Sequence, residues 1–185
     1  MEKKSQMNIR RLTVSAMLAA LAIVMMMVVR FPLIPAAPFL EYDMGDVPVL
    51  IGTFMFGVPS GLLILLVVSL IQALTVSAAS GWVGFVMHFA ASGLFLIAAG
   101  LIYKKIPSVK GVVLGLVCGS VVMVAAMIPL NLIFTVYFLG TPRQAVTDML
   151  IPAIIPFNAL KAIINSVGSF ILYIPLKKAL KSIKV

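Results

Sequence analysis

A short polar face lies in the last apolar stretch of this chain. Asn158, Lys161 and Asn165 stand at positions i, i+3 and i+7, a spacing that places all three on one side of a helix. A lysine in a membrane helix is costly unless it faces a cavity or a partner. Alternatively, its long side chain can extend so that the amine reaches the membrane surface. Two amides and one cation on one face predict a pocket for a ligand with both donors and acceptors.

A second polar pair precedes this face in the chain. Asn131 and Thr135 stand four residues apart, just after Pro129, and so share one helical face. Residues of this kind also form hydrogen bonds between membrane helices, which is the structural alternative to a binding role. If the two helices face each other, their polar faces meet and line one pocket.

The segment 30–46, RFPLIPAAPFLEYDMGD, is a long connection rich in proline and aromatic residues. Its prolines favour extended backbone, and a loop this apolar is expected to pack onto another part of the protein. It is interpreted either as a lid over an outward-facing pocket or as a loop that rests on lipid headgroups. Asp46, which precedes Val47 and Pro48, is predicted to cap the helix that follows.

Membrane-spanning helices are the elements that must position these residues. Of the 185 residues, 63% are hydrophobic and 10% are charged, and the mean hydropathy is +1.21, whereas a soluble domain is roughly half apolar and a quarter charged. The chain is therefore predicted to be a single integral membrane domain, 1–185, of the all-α class. Six helices are predicted, at about 12–29, 47–57, 61–79, 83–103, 111–138 and 150–176.

Basic residues set the orientation of these helices. Eleven of the 14 lysines and arginines fall in three clusters, before the first helix, after the fourth and after the sixth. If the short segment 47–57 crosses the membrane, all three clusters lie in the cytoplasm, as the positive-inside rule requires. The sequence thus predicts a polytopic protein with six transmembrane helices and both termini in the cytoplasm.

Several kinds of chemistry are not indicated. His88 is the single histidine, and no acid stands at metal-ligand spacing from it, so no metal site is predicted. The net charge of +9 comes from loop clusters without interleaved aromatic residues, which argues against nucleic acid as a partner. An intramembrane protease would need two facing aspartates or a serine and histidine pair, and the chain has no Walker A motif. The protein is therefore predicted not to be an enzyme and to need no cofactor.

The chain resembles a known family of membrane proteins. Six short-looped helices, an Ala-x-x-x-Ala step at Ala16 and Ala20 and an aromatic outer loop resemble the substrate-binding (S) components of energy-coupling-factor (ECF) transporters. FLEYD and DVP within 39–48, and IG and FG within 51–57, are similar to the riboflavin-specific type. The resemblance implies a high-affinity riboflavin-binding subunit of an ATP-driven importer in the plasma membrane of a bacterium.

The resemblance also implies a site and partners. The vitamin would bind in an outward-facing pocket under loop 30–46, and a membrane scaffold subunit with two ATPase subunits would drive its delivery. Glu41 is expected to accept from a ligand hydroxyl or to pair with Lys161. Small residues of the first helix would dock onto the scaffold, with internal helix packing as the alternative. The implied interface is Ala16, Ala19 and Ala20, and the implied ligand-binding residues are Phe39, Leu40, Glu41, Tyr42, Asn131, Thr135, Asn158, Lys161 and Asn165.

Two alternatives stay open. The chain could be the S component for another vitamin, although its helices contain no carboxylate for a cationic ligand such as thiamine. It could also be a stand-alone secondary carrier, although a proton-coupled carrier usually places an acid within the membrane. An S component binds its substrate alone but concentrates it only with its ATPase module, and this difference separates the two classes.

Overall fold

The computed structural model describes residues 2–35 and 37–182, and the side chains of residues 9–35 and 37–178. Within these residues the protein is helical apart from one two-stranded hairpin, which confirms the predicted all-α class. In chain order the elements are α1 (Glu2–Val28), β1 (Arg30–Pro32), β2 (Glu41–Asp43), α2 (Asp46–Phe56), α3 (Val58–Leu74), a 3-10 turn (Ala78–Ser80), α4 (Gly81–Lys105), α5 (Val109–Leu130), a π-helical turn (Asn131–Thr135), α6 (Arg143–Met149), a second π-helical turn (Leu150–Ile154) and α7 (Ile155–Ser182).

Four helical segments in the described part of the chain are long and apolar enough to cross a membrane. Helix α2 has 11 residues and α3 has 17, so they are about 16 and 25 Å long at 1.5 Å per residue. Both lengths are less than the roughly 30 Å of hydrocarbon in a bilayer. Length alone therefore supports four of the six predicted spans, which are Ile9–Val28, Ala78–Lys105, Val109–Thr135 and Arg143–Lys178.

Several helix boundaries differ from the predicted ones. Helix α1 begins at Glu2 rather than at residue 12, and α3 covers Val58–Leu74 rather than 61–79. Helical structure resumes at Arg143, where a loop was predicted as far as residue 149. Polar residues are frequent in the extra turns at 2–11 and 143–149, so the hydropathy pattern on which the prediction relied did not mark them as helical.

Two π-helical turns interrupt the second half of the bundle. The turn Asn131–Thr135 begins two residues after Pro129, and the turn Leu150–Ile154 contains Pro152. Proline cannot donate the backbone hydrogen bond of a regular helix, and π-helical turns are frequent at functional sites. These turns make the start of α7 and the end of α5 irregular at the places where polar residues were predicted to face a pocket.

The short helix α2 lies at the centre of the bundle and contacts α1, α3, α4 and α7. Its first nine residues, 46–54, are all buried, as expected for a helix that is apolar on every side. Gly57 separates α2 from α3 with a φ of 87°, a conformation that glycine adopts readily. Arg11 of α1 fixes this break, because its guanidinium donates to the carbonyl oxygen of Phe56 at 2.5 Å and to Ser60 Oγ at 2.6 Å.

Glycine allows α4 and α5 to approach closely. A Cβ atom at Gly115 would lie 2.7 Å from the carbonyl oxygen of Ala99 and 3.2 Å from its Cα. The small-residue steps at Gly111, Gly115 and Gly119 therefore serve packing inside the bundle, since Gly119 likewise lies against Phe95.

Gly115→Ala is expected to lower the free energy of unfolding by about 1–3 kcal/mol through overpacking. Gly93→Ala is the matched control, because a Cβ there would meet only Leu62 and Leu65 side chains at 3.7 and 3.8 Å. Both changes give a helix the same gain in propensity, so their difference isolates the contact with Ala99. Unfolding in detergent measures both variants, and equal stabilities would contradict this account of the α4–α5 contact.

Candidate functional site

The hairpin of β1 and β2 carries an acid into the helical bundle. The strands pair antiparallel, with Arg30 opposite Asp43, and the whole Asp43 residue is only 2% exposed. Asp43 Oδ2 accepts from Lys161 Nζ at 2.8 Å and from Gln72 Nε2 at 3.3 Å, and its Oδ1 accepts from the Gly45 amide at 3.1 Å. The charge of Lys161 on α7 is therefore neutralised by Asp43, which belongs to the loop 30–46 that was predicted to cover the pocket.

Asp46 is a second buried acid, and the prediction that it caps α2 was wrong. The capping position belongs to Gly45, and Asp46 begins the helix with its side chain turned inward. Asp46 Oδ2 accepts from Ser92 Oγ at 3.0 Å and from Asn165 Nδ2 at 3.3 Å. Its Oδ1 lies 3.2 Å from His88 Nε2. The carboxylate thus joins α2 to α4 and α7.

His88 is held between an acid and a hydroxyl. Its Nδ1 lies 2.8 Å from Ser69 Oγ on α3, while its Nε2 faces Asp46. Both contacts are satisfied when Nε2 carries the proton and Ser69 donates to Nδ1. The solitary histidine is therefore a fixed link between helices, with both ring nitrogens in use.

Asn165 connects the hairpin to this second acid. Its Oδ1 accepts from the Tyr42 hydroxyl at 2.9 Å, while its Nδ2 donates to Asp46. Tyr42 is 1% exposed and Asn165 is fully buried. Burial raises the pKa of Tyr42 to about 12, so the phenol stays protonated and donates to the amide. The hairpin is thereby attached to α7 at two points, through Tyr42 and through Asp43.

These contacts form one buried group, here called the polar network. It joins the hairpin with α2, α3, α4 and α7, and within the described residues it brings together two carboxylates, one amine and one imidazole. Six of its members were not predicted as site residues, although His88 and Ser92 stand four apart on one face of α4, which is a detectable signal. Its members are Tyr42, Asp43, Asp46, Ser69, Gln72, His88, Ser92, Lys161 and Asn165.

Three of the predicted polar residues, Asn131, Thr135 and Asn158, form hydrogen bonds within their own helical segments. Asn131 Nδ2 donates to the carbonyl oxygen of Met127 at 2.8 Å, and Thr135 Oγ1 donates to Asn131 Oδ1 at 3.2 Å. Asn158 Nδ2 donates to the carbonyl oxygen of Ile154 at 2.8 Å. These hydrogen bonds from side-chain amides satisfy backbone carbonyl oxygens at or next to the π-helical turns. Asn158 is buried, like Lys161 and Asn165. The face of α7 that the sequence spacing predicted therefore points into the bundle.

The tip of the hairpin is more open than its base. Phe39 is 65% exposed and Leu40 is half-buried. Glu41 forms an ion pair with Arg30 across the hairpin, so the expected pairing of Glu41 with Lys161 was wrong. Asp43 is the last residue of β2 and is close in sequence to the start of α2, whereas Glu41 is nearer the tip of the hairpin. Glu41 is exposed, and Tyr42 and Asp43 are the buried residues of β2.

The small residues of α1 do not share one environment. Ala16 and Ala20 are exposed, together with Met17, whereas Ala19 is buried in the hydrophobic core. The interface expected for Ala16, Ala19 and Ala20 is therefore available at two of the three positions in this structure. Ala19 serves the packing of α1 against its neighbours.

Known proteins are similar to this chain over most of its length. The family model described as ECF transporter, substrate-specific component matches residues 10–173. Riboflavin transporter RibU of Streptococcus thermophilus is 33% identical, with 94% of this chain and 85% of that protein covered. Riboflavin transporter RibU of Staphylococcus aureus is 34% identical (96% and 95% covered), and Riboflavin transporter FmnP of Bacillus subtilis is 29% identical (92% and 94% covered).

A solved structure also has the same fold. It is described as the structure and mechanism of the S component of a bacterial ECF transporter, and it superposes with a TM-score of 0.78. The two chains are 35% identical, and the match covers 94% of this chain and 99% of the other. The likeness thus extends from sequence to the arrangement of the helices.

Proposed function

Since this chain belongs to the family of substrate-specific components of ECF transporters, we propose that it is the riboflavin-binding subunit of an ATP-driven importer. The chain is a membrane transport component and not an enzyme, and riboflavin is its substrate rather than a cofactor. The observation that carries the ligand assignment is the 33–34% identity to riboflavin transporters over almost the whole chain.

The proposed arrangement in the membrane is a single multi-pass domain, 1–185, with six spans and both termini in the cytoplasm of a bacterium. The three basic clusters support this orientation through the positive-inside rule. Helix α2 is shorter than the bilayer, but its surroundings are other helices rather than lipid. A short helix enclosed by protein does not need to match the hydrocarbon thickness.

The proposed ligand pocket lies beneath the hairpin, between the end of α5 and the start of α7. Riboflavin is neutral, with a flat ring system, a pyrimidine edge of donors and acceptors, and a chain of hydroxyls. Asn131, Thr135 and Asn158 supply matching polar groups near the π-helical turns, and Lys161 supplies a donor. Phe39, Leu40 and Tyr42 are proposed to cover the ring, whereas Glu41 and Asn165 have fixed structural partners here and are proposed to act through the position of the hairpin.

The hairpin is proposed to act as a lid that is closed in this structure. Its base is attached to α7 by the Tyr42–Asn165 and Asp43–Lys161 contacts. When these contacts separate, the Lys161 amine becomes available to a ligand. The environment of Gln72 Oε1 favours a polar ligand at this place, because this oxygen is buried and accepts no hydrogen bond from the described residues. A ligand hydroxyl there would satisfy an acceptor that is costly to leave unpaired.

Transport is proposed to require a scaffold subunit and two ATPase subunits. Helix α1 carries an exposed apolar face that includes Ala16 and Ala20, and small residues permit close contact with another membrane helix. This face is the proposed docking surface, with Ala19 behind it in the core. Lipid surrounds the rest of the bundle, and no nucleic acid partner is proposed.

A riboflavin titration of the purified full chain in detergent tests the ligand. Flavin fluorescence is expected to be quenched until a single flavin is bound per chain, because a ring enclosed by aromatic and polar groups loses its emission. Thiamine, which is cationic, is the comparison ligand and is expected not to compete. Failure of riboflavin to saturate the protein at micromolar concentration would overturn the riboflavin assignment.

A stand-alone carrier is the second candidate function. The observation that favours it is the buried pair Asp43 and Asp46 with His88, since acids inside a membrane bundle are common in proton-coupled carriers. Vesicles that contain this chain alone separate the two functions. An S component is expected to bind riboflavin without accumulating it, whereas accumulation driven by a proton gradient would favour the carrier.

A further inference from the structure

An apolar groove of about 800 Å³ runs between α5 and α7 on the surface of the bundle. It follows α5 from Val113 to Ile128, which is about 22 Å at 1.5 Å per residue. Branched aliphatic side chains form most of its lining. Its two hydroxyls are engaged with each other, because Ser120 Oγ lies 3.1 Å from Ser166 Oγ and also donates to the Leu116 carbonyl oxygen at 2.7 Å. The groove therefore favours an apolar occupant.

Exposed lysines stand at one end of this groove. Lys110 precedes Val113 by three residues and lies on the same side of α5. Lys178 follows Val167 by eleven residues, or three helical turns, and so lies on the groove side of α7. Both lysines are exposed. Each exposed lysine near a membrane surface increases the affinity for an anionic lipid roughly fivefold.

We propose that this groove binds an acyl chain of an anionic phospholipid whose phosphate lies between Lys110 and Lys178. The apolar length and the charged end match the two parts of such a molecule. Cationic groups at the end of a cleft between membrane helices are a recognised arrangement for anionic headgroups. The proposal depends on the membrane location of the chain and not on the identity of its vitamin.

The lining favours a lipid chain over a partner helix. Close packing of membrane helices uses small residues four positions apart. In this groove the small residues of α5, Ser120 and Ala125, are five apart, and those of α7, Ala159 and Ser166, are seven apart. Bulky branched side chains separate them, and a flexible methylene chain fits such a surface better than a rigid backbone does.

Native mass spectrometry of the full chain in detergent tests the proposal with two lipids of identical acyl chains, phosphatidylglycerol and phosphatidylcholine. Phosphatidylglycerol is expected to bind about 30-fold more tightly, since two lysines contribute. The double variant Lys110→Gln, Lys178→Gln is expected to lose that preference. Val117→Trp, which fills the groove, is expected to weaken binding of both lipids.

Two controls match these variants. Lys104→Gln with Lys105→Gln removes the same charge from the end of α4, whose described residues do not line the groove, and is expected to keep the preference for phosphatidylglycerol. Val24→Trp places the same bulk on the exposed face of α1. Equal affinity for the two lipids, or equal losses in the test and control pairs, would overturn the proposal. It would also be overturned if Val117→Trp left lipid binding intact and blocked assembly with the ATPase module, because the groove would then belong to a partner helix.

Discussion

Lys161→Met is expected to weaken riboflavin binding by about 30-fold or more, the effect of removing a buried charged donor from a binding site. Lys161 is the one lysine or arginine that is buried among the described residues, and its amine lies at the base of the proposed lid. Methionine keeps the length and the apolar stem of the side chain, so the change removes mainly the charge and its hydrogen bonds. Fluorescence titration of the variant measures the loss.

The same substitution also affects stability, and a double variant separates the two effects. Lys161→Met leaves Asp43 as an unpaired buried charge, and Asp43→Asn leaves Lys161 unpaired, so each is expected to cost about 3–5 kcal/mol. The double variant removes both charges and is expected to recover most of that loss, since the energies of contacting residues are not additive. Riboflavin binding is not expected to return, because the donor is still missing.

An exposed lysine provides the control for this experiment. Lys105→Met removes one positive charge at the end of α4 and is expected to leave both binding and stability near their original values. If the double variant of Asp43 and Lys161 binds riboflavin as tightly as the unchanged chain, Lys161 does not contact the ligand. The amine would then have a structural role alone.

Local patterns predicted the elements of this fold well. Hydropathy indicated a helical membrane protein, and the spacing of Asn158, Lys161 and Asn165 identified a face of α7 that the structure buries. Such predictions succeed because a helix repeats every 3.6 residues and its buried face can be read from neighbouring positions. The ends of helices were predicted less well, because polar terminal turns such as 143–149 carry no hydropathy signal.

The pairing of the charged residues could not be read from local patterns. Asp43 and Lys161 are 118 positions apart, and Asp46 and Asn165 are 119 apart. Asp46 carries the local signature of a helix cap, since it precedes Val47 and Pro48, but three donors from other helices determine where its side chain points. The choice of Asp43 rather than Glu41 as the partner of Lys161 depends on how the hairpin packs on the bundle, which buries Asp43 and leaves Glu41 exposed beside Arg30.

Asp46→Ala is expected to cause the largest loss of stability of any single change in the polar network. The carboxylate accepts from Ser92 and Asn165 and faces His88, so its removal takes a hydrogen-bond acceptor from two buried residues and one partly buried residue. Breaking a buried charged network in this way costs about 3–5 kcal/mol, with a further penalty for each unsatisfied donor. Unfolding of the detergent-purified chain, followed by loss of the monodisperse species on heating, measures the effect.

Two further substitutions give this prediction a graded control. Asp46→Asn keeps the shape of the side chain and one acceptor oxygen, so its loss is expected to lie between those of the unchanged chain and Asp46→Ala. Asp148→Ala removes an exposed acid that accepts only from Gln144 on its own helix, and a surface contact of this kind contributes less than about 1 kcal/mol. If Asp46→Ala and Asp148→Ala are equally stable, the polar network does not hold the helices together. The hairpin would then depend on its direct contacts with α7, which are Tyr42–Asn165 and Asp43–Lys161.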